Sequence, residues 1–210
     1  MRQIMDVSGA VLHSEREYDI AANTAIVPGQ VVKLSDGLVV AAVAAETGAI
    51  LGYALEHHPG TADALNPRAN GRRILVQDSP GAIAESPAPV ITATGGTSTT
   101  ITAACTVNFA ADVFNGGYVK DKNGKVRRIT DSAASGSVLT LTVESGDTPS
   151  SGDPFIVFLP LGFSAGNLSS DGRKIVLTGT AAQPFSVVGR DEDRNMIWTV
   201  ATKHALASGR

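Results

Sequence analysis

Apolar and polar residues alternate along the chain in short runs, which are separated by Gly, Pro, Asn and Asp. The clearest run is 137–144 (SVLTLTVE), and runs of similar length occur at 31–34 (VVKL) and 74–76 (ILV). A period of two is typical of a β-strand with one buried face, and no long segment has the 3.6-residue period of an amphipathic helix. The sequence therefore predicts an all-β protein with minimal helix, whose short strands form a barrel or a sandwich.

Changes in composition divide the chain into four segments. Residues 1–19 are polar and have no clear period, so we expect an extended N-terminal arm without a core of its own, which either docks on a partner or frays. Residues 20–87 predict a β-barrel or sandwich domain, and residues 161–210 predict C-terminal strands that are candidates to complete it. Residues 88–160 predict a second, inserted β module that is self-contained.

Two turns are predicted in the first domain. Pro28 and Gly29 suit the two central positions of a turn, and Asp36-Gly37 suits a hairpin between two apolar runs. The alanine-rich residues 41–49 favour either an extended connection or one helical turn.

The inserted module contains two further turn signals. Gly95-Gly96 divides a Thr-rich stretch into two expected strands, with a flexible linker as the alternative. Asn123-Gly124 joins expected strands at 118–120 and 125–130. This pair predicts a tight hairpin turn in which both residues adopt positive φ.

The composition limits the classes of partner. The net charge of −3 and the pI near 5.8 argue against a dedicated nucleic-acid binder. The most apolar run, 38–55, is interrupted by Glu46 and Gly48, so a membrane span is not expected, and the N-terminus has no signal-peptide pattern. Cys105 is the only cysteine, which excludes an intrachain disulfide and predicts a small buried side chain.

The histidines and acidic residues do not predict a catalytic or metal site. His57 and His58 are adjacent, so in a strand they would point to opposite faces, and we expect them in a surface turn. The acidic run 191–193 (DED) has oxygen ligands for Ca²⁺, but a solvated turn between strands is the favoured interpretation. His13 and His204 belong to no cluster with metal-ligand spacing.

The basic residues predict a contact surface at most. Lys125, Arg127 and Arg128 form the one basic patch, which suits a solvated strand edge or an acidic partner. The nucleophile-elbow and phosphate-loop motifs are absent. The sequence therefore predicts no catalytic, cofactor-binding or metal residues and no enzyme activity.

Two segments resemble proteins of tailed bacteriophages. Residues 19–60 resemble head-decoration (cement) and head-fibre proteins in a turn–strand–turn and a "G.iLGya.e" strand. Residues 97–145 resemble a small β module that recurs in phage virion proteins, with a "D.fnGgyv" turn and an "nG..rrIt" hairpin. The matching residues are Gly29, Gly37, Gly48 and Gly52 in the first segment, and Asp112, Phe114, Asn115, Gly116, Gly117, Gly124, Arg128 and Ile129 in the second.

This resemblance implies a structural virion protein that binds the major capsid protein on the outside of an icosahedral head and stabilises it. It also implies a homotrimer, assembly in the host cytoplasm, and no nucleic-acid or membrane partner. Another virion component, such as a fibre base or a tail adaptor, is the first alternative. A carbohydrate-binding or carbohydrate-active surface domain is the alternative from another class, although aromatic residues make up only 5% of the chain.

Overall fold

The computed structural model describes residues 2–6, 15–44, 46, 48–60, 73–79, 81–164, 167–177 and 184–205. These residues form strands, turns and irregular connections, with no helix, so the expected all-β class is confirmed. In this part of the chain no helix is long and apolar enough to cross a membrane. The strands in chain order are β1 (Arg2–Asp6), β2 (Glu15–Asp19), β3 (Ala25–Ile26), β4 (Val31–Ser35), β5 (Leu38–Ala41), β6 (Gly52–Ala54), β7 (His58–Pro59), β8 (Arg73–Gln77), β9 (Ala82–Pro87), β10 (Val90–Thr97), β11 (Thr100–Ala104), β12 (Tyr118–Lys120), β13 (Val126–Ser135), β14 (Val138–Val143), β15 (Pro154–Phe158), β16 (Asn167–Leu168), β17 (Ile175–Val176), β18 (Phe185–Asp191) and β19 (Met196–Ala201).

Six strands close into an antiparallel barrel in the order β10-β11-β14-β13-β12-β15. All six lie between Val90 and Phe158, which coincides with the range expected for the inserted module. Alternate residues of each strand point inward, as in β14, where Leu139, Leu141 and Val143 are buried. Burial of these apolar side chains is the main stabilising term for such a barrel.

The first turn of the barrel is displaced from its predicted position. Gly95 and Gly96 lie inside β10, next to a register shift, and the chain reverses between Thr97 and Thr100. Thr100 Oγ1 accepts a hydrogen bond from the Thr97 amide at 3.1 Å, which fixes this turn. The prediction of a Gly95-Gly96 turn is therefore wrong, and so is the alternative of a flexible linker, because both flanking segments are paired strands.

The β12–β13 hairpin forms at the predicted place with different geometry. Gly124 has φ of 82°, whereas Asn123 does not adopt positive φ. Asp121 Oδ1 accepts hydrogen bonds from the amides of Asn123 at 2.9 Å and Lys125 at 3.0 Å. This side chain holds a longer loop in which one glycine supplies the left-handed residue, so the prediction of two positive φ values is wrong.

A second sheet has the order β2-β8-β6-β4-β5. Its two edges meet through a bridge between Ile20 and Val39, so the sheet curls around its own apolar core. The predicted hairpin turn between β4 and β5 is confirmed, with positive φ at Asp36 and Gly37. The described residues of 41–49 contain no helical turn.

A third sheet has the order β1-β9-β19-β18 and joins the N-terminal and C-terminal parts of the chain. β1 pairs with β9 and β2 pairs with β8, so residues 2–6 and 15–19 of the expected arm are paired strands, and the fraying alternative is wrong for them. β9 was not predicted, because five consecutive buried residues hide the period of two. The C-terminal strands were predicted, and β19 shares this sheet with β9. The division into domains stays a prediction.

Candidate functional site

The "D.fnGgyv" segment forms a compact turn between β11 and β12. Asp112 adopts φ of 64°, and its Oδ1 accepts a hydrogen bond from Asn115 Nδ2 at 2.9 Å. The Phe114 ring is fully buried, and its amide donates to Ser132 Oγ at 3.1 Å. A Cβ atom at Gly117 would lie 2.7 Å from the Phe158 carbonyl oxygen, which requires glycine there. The matching residues of this turn therefore have architectural roles.

The expected basic patch is divided between two faces of β13. Arg127 is only 2% exposed and points into the barrel, whereas Arg128 and Lys125 are exposed. Arg127 Nη2 lies 3.7 Å from Asp121 Oδ2, and Nη1 donates to the Asp147 carbonyl oxygen at 3.5 Å. The prediction of one patch is wrong, because consecutive residues of a strand point to opposite sides.

Arg127 closes one end of the barrel. Its guanidinium lies 5.7 Å from the centre of the Phe155 ring and also contacts the loop that contains Gly146. The adjacent cavity of about 240 Å³ is lined by Asp121, Asp147 and Asp153 together with Lys122. Because the Arg127 guanidinium is almost inaccessible, it fixes the loop between β14 and β15 and does not present its own charge to a ligand.

The histidines are dispersed. His57 is exposed and His58 is buried, as opposite faces require, so the expectation of a surface turn is wrong for His58. His204 bridges to Ile50 near the end of the described residues, and burial lowers the pKa of its imidazole. His13 lies outside the described residues.

The acidic run forms the turn between β18 and β19. Asp191 Oδ1 accepts a hydrogen bond from the Arg194 amide at 3.0 Å, and Glu192 pairs with Arg190 at 2.8 Å. The run therefore lies in the turn between strands that was favoured for it. Among the residues that the structure describes, no group of three or more His, Cys, Asp or Glu side chains is arranged to hold a metal ion.

Two buried carboxylates connect strands that are far apart in sequence. Asp78 accepts a hydrogen bond from the Tyr18 hydroxyl and lies 3.5 Å from Arg16 Nε. Burial, reinforced by the hydrogen bond to Asp78, raises the pKa of Tyr18 to about 12. Glu85 accepts two hydrogen bonds from the Arg194 guanidinium, at 2.5 and 3.1 Å. Sequence reasoning missed both pairs, because no local pattern relates residues separated by 60 and 109 positions.

A groove beside the start of β10 is a candidate site. Its cavity of about 520 Å³ is lined by residues 87–92, 104–106 and 174–177. Val90 is 61% exposed at its rim. Cys105 lines the groove and is only half-buried, so the expectation of a buried cysteine is wrong.

A second, more polar cavity of about 470 Å³ adjoins the groove. Pro87 and Lys174 line both cavities. The walls of the second cavity also carry two arginines and two carboxylates, which are Arg173, Arg194, Glu85 and Asp171. Together the two cavities form a surface depression with an apolar part and a charged part.

No protein-family model matches the sequence, and no curated protein or solved structure is significantly similar to the chain. The candidate site is therefore defined by its own geometry. The described residues around the groove suit binding, because they provide apolar side chains and exposed charge without a nucleophile–base pair.

Proposed function

We propose that this chain is a structural virion protein that decorates the outside of a tailed-phage icosahedral head and stabilises it by binding the major capsid protein. The observation that carries the proposal is the role of the matching residues. Asp112, Phe114 and Gly117 are the residues that the turn before β12 requires for its backbone and its packing. The residues that carry the resemblance are thus architectural in this chain, which supports the proposal.

A decoration protein needs a stiff scaffold and contact surfaces. The closed barrel supplies the scaffold, because each of its six strands is paired on both sides. Several large apolar side chains are exposed on the surface and are available for subunit or capsid contacts. They include Val43, Val90, Val138 and Leu161.

The proposal includes a homotrimer on the outer capsid surface, assembly in the host cytoplasm and no catalytic activity. The buried polar groups support a structural role. Arg127, Asp78 and Glu85 each contact groups from other segments of their own barrel or sheet, and these contacts fix loops and strands in place. Nucleic acid and membranes are not partners in this proposal, in line with the net charge of −3.

A co-sedimentation experiment tests the proposal. Purified protein is mixed with phage heads assembled without it and, separately, with purified tails. We expect saturable binding to heads and none to tails. Binding to tails alone would contradict the decoration role and favour a fibre base or tail adaptor. Turnover of a bacterial glycan that is lost on substitution of an acidic residue would favour the carbohydrate-active alternative.

A further inference from the structure

We propose that the groove between β10 and β17 binds an extended segment of a partner polypeptide. The segment would add to the exposed strand edges, and an acidic side chain of the segment would face Lys174. This binding mode combines main-chain hydrogen bonds with small pockets for alternate side chains. The inference does not depend on the virion role, because it follows from backbone edges, cavity and charge.

The first edge belongs to β10. Its pairing with β11 begins at Ala93, opposite Ala103, whereas its pairing with β15 begins at Val90. β11 ends at Ala104, and the Cys105 amide turns away to donate to the Ser137 carbonyl oxygen at 2.9 Å. In the described part of the chain, no strand pairs with the first residues of β10 on the β11 side.

The second edge belongs to β17. Among the described residues this strand pairs only with β16. The Ser169 amide donates to the Lys174 carbonyl oxygen at 2.9 Å, so Lys174 and, by alternation, Val176 direct their backbone groups toward β16. The intervening Ile175 faces the other way, and its amide donates to Ser86 Oγ at 3.0 Å. By the same alternation, the Ile175 carbonyl and the Leu177 amide face away from β16, and both residues line the groove.

The space between these edges suits an extended chain. The cavity of about 520 Å³ lies within the range of roughly 300–1,000 Å³ that is typical of ligand sites. Its lining combines small or branched apolar side chains, including Val90, Ile91, Ala104 and Leu177, with two threonines, Cys105 and Lys174. The lining has no aromatic ring on which a sugar would stack, which favours a polypeptide.

The charges next to the groove specify one feature of the partner. The adjoining cavity is lined by three cations and two carboxylates, and Arg194 already binds one of these carboxylates, Glu85, through two hydrogen bonds. One positive charge is in excess, and Lys174 carries its charge at the junction of both cavities. An Asp or Glu at one end of the bound segment would complement this charge.

The rate of Cys105 alkylation measures occupation of the groove, because Cys105 is the only cysteine and it lines the groove. The full-length protein is alkylated with iodoacetamide in the presence of millimolar blocked hexapeptides. The peptides are DVTVTV, the same peptide N-methylated at alternate residues, and KVTVTV. We expect DVTVTV to slow alkylation most. The N-methylated peptide, which lacks half of the N–H donors but keeps the side chains, should not protect.

Charge reversal at Lys174 tests the orientation of the bound peptide. Lys174→Glu should invert the preference between DVTVTV and KVTVTV, with each affinity changing by about fivefold. Lys125→Glu is the matched control, because Lys125 is exposed outside the groove lining and its substitution should leave the order unchanged. Both positions are exposed, so neither variant should prevent folding.

Four results would overturn the proposal. One is the absence of protection by any peptide, and another is equal protection by the N-methylated peptide. Unchanged preference in Lys174→Glu would remove the assignment of the acidic side chain. Protection of Cys105 that rises with protein concentration in the absence of peptide would identify a second copy of this chain as the occupant instead.

Discussion

Arg127 and Asp121 are both buried at one end of the barrel, with 3.7 Å between Nη2 and Oδ2. Asp121 also holds the β12–β13 loop through its other carboxylate oxygen. The pair therefore links the hairpin loop to the strand that follows it. Removal of one member would leave the other as an uncompensated charge in the protein interior.

We accordingly expect Arg127→Met to lower the free energy of unfolding by about 3 kcal/mol. Arg128→Gln is the matched control, since Arg128 is the next residue and is exposed, and its effect should stay within about 0.5 kcal/mol. Urea unfolding of the three proteins measures the difference. Equal stability of the two variants would show that the buried pair does not hold the loop.

Gly117 tests whether the "D.fnGgyv" motif is architectural. A methyl group at this position would be 2.7 Å from the Phe158 carbonyl oxygen and 3.0 Å from that of Phe114. Gly117→Ala should therefore cost about 2 kcal/mol through overpacking. Gly124→Ala meets no close atom and should cost about 1 kcal/mol from its positive φ alone. Thermal unfolding ranks the two variants, and the reverse order would contradict the role given to Gly117.

His204 makes the stability of the protein depend on pH. Burial lowers the pKa of its imidazole below the usual value of 6.5. The unfolded chain takes up a proton as the pH falls through 6.5, whereas the folded chain does so only at lower pH. The free energy of unfolding should therefore decrease from about pH 6.5 downward.

The variant His204→Gln lacks this titration and should lose less stability than the wild-type protein between about pH 7.5 and about pH 5.5. His57 and His58 are present in both proteins, so their contributions cancel in the comparison. Denaturant unfolding at the two pH values provides the measurement. Parallel losses in both proteins would assign the pH dependence to other groups.

The N-terminal strand covers the outer edge of β9. Deletion of residues 1–6 should expose the backbone of β9, in which Ala84 and Glu85 pair with Gln3 and Arg2. We expect faster amide exchange in β9 and unchanged exchange in β10 to β15, because within the described part of the chain β1 pairs only with β9. Exchange that accelerates throughout the barrel would show that β1 supports the whole fold.

Local chemistry made several turns predictable. Asp36-Gly37 adopts positive φ at both residues, and Gly29 does so after Pro28. β14 was predictable because threonines and apolar residues alternate along it. These features depend on neighbouring residues alone, so the sequence contains all the information that they require.

Long-range features were not predictable in the same way. The pairing of β1 with β9 depends on a partner about 80 positions away, and no local pattern identifies it. The burial of Arg127 could have been inferred from the sequence, because Arg127 lies two residues before Ile129 and therefore shares its inward face in a strand. Among the strands described, the edge of β10 beside the groove is unpaired because β11 ends before it. The end of β11 is determined by the assembled barrel and not by neighbouring residues in the sequence.

Electron microscopy of phage heads with and without the protein tests the central claim most directly. We expect added density on the outer surface of the capsid. It should have threefold symmetry at each site and be large enough to contain the six-stranded barrel. Heads that look identical in both samples, while the protein is found on tails or free in solution, would contradict the decoration role.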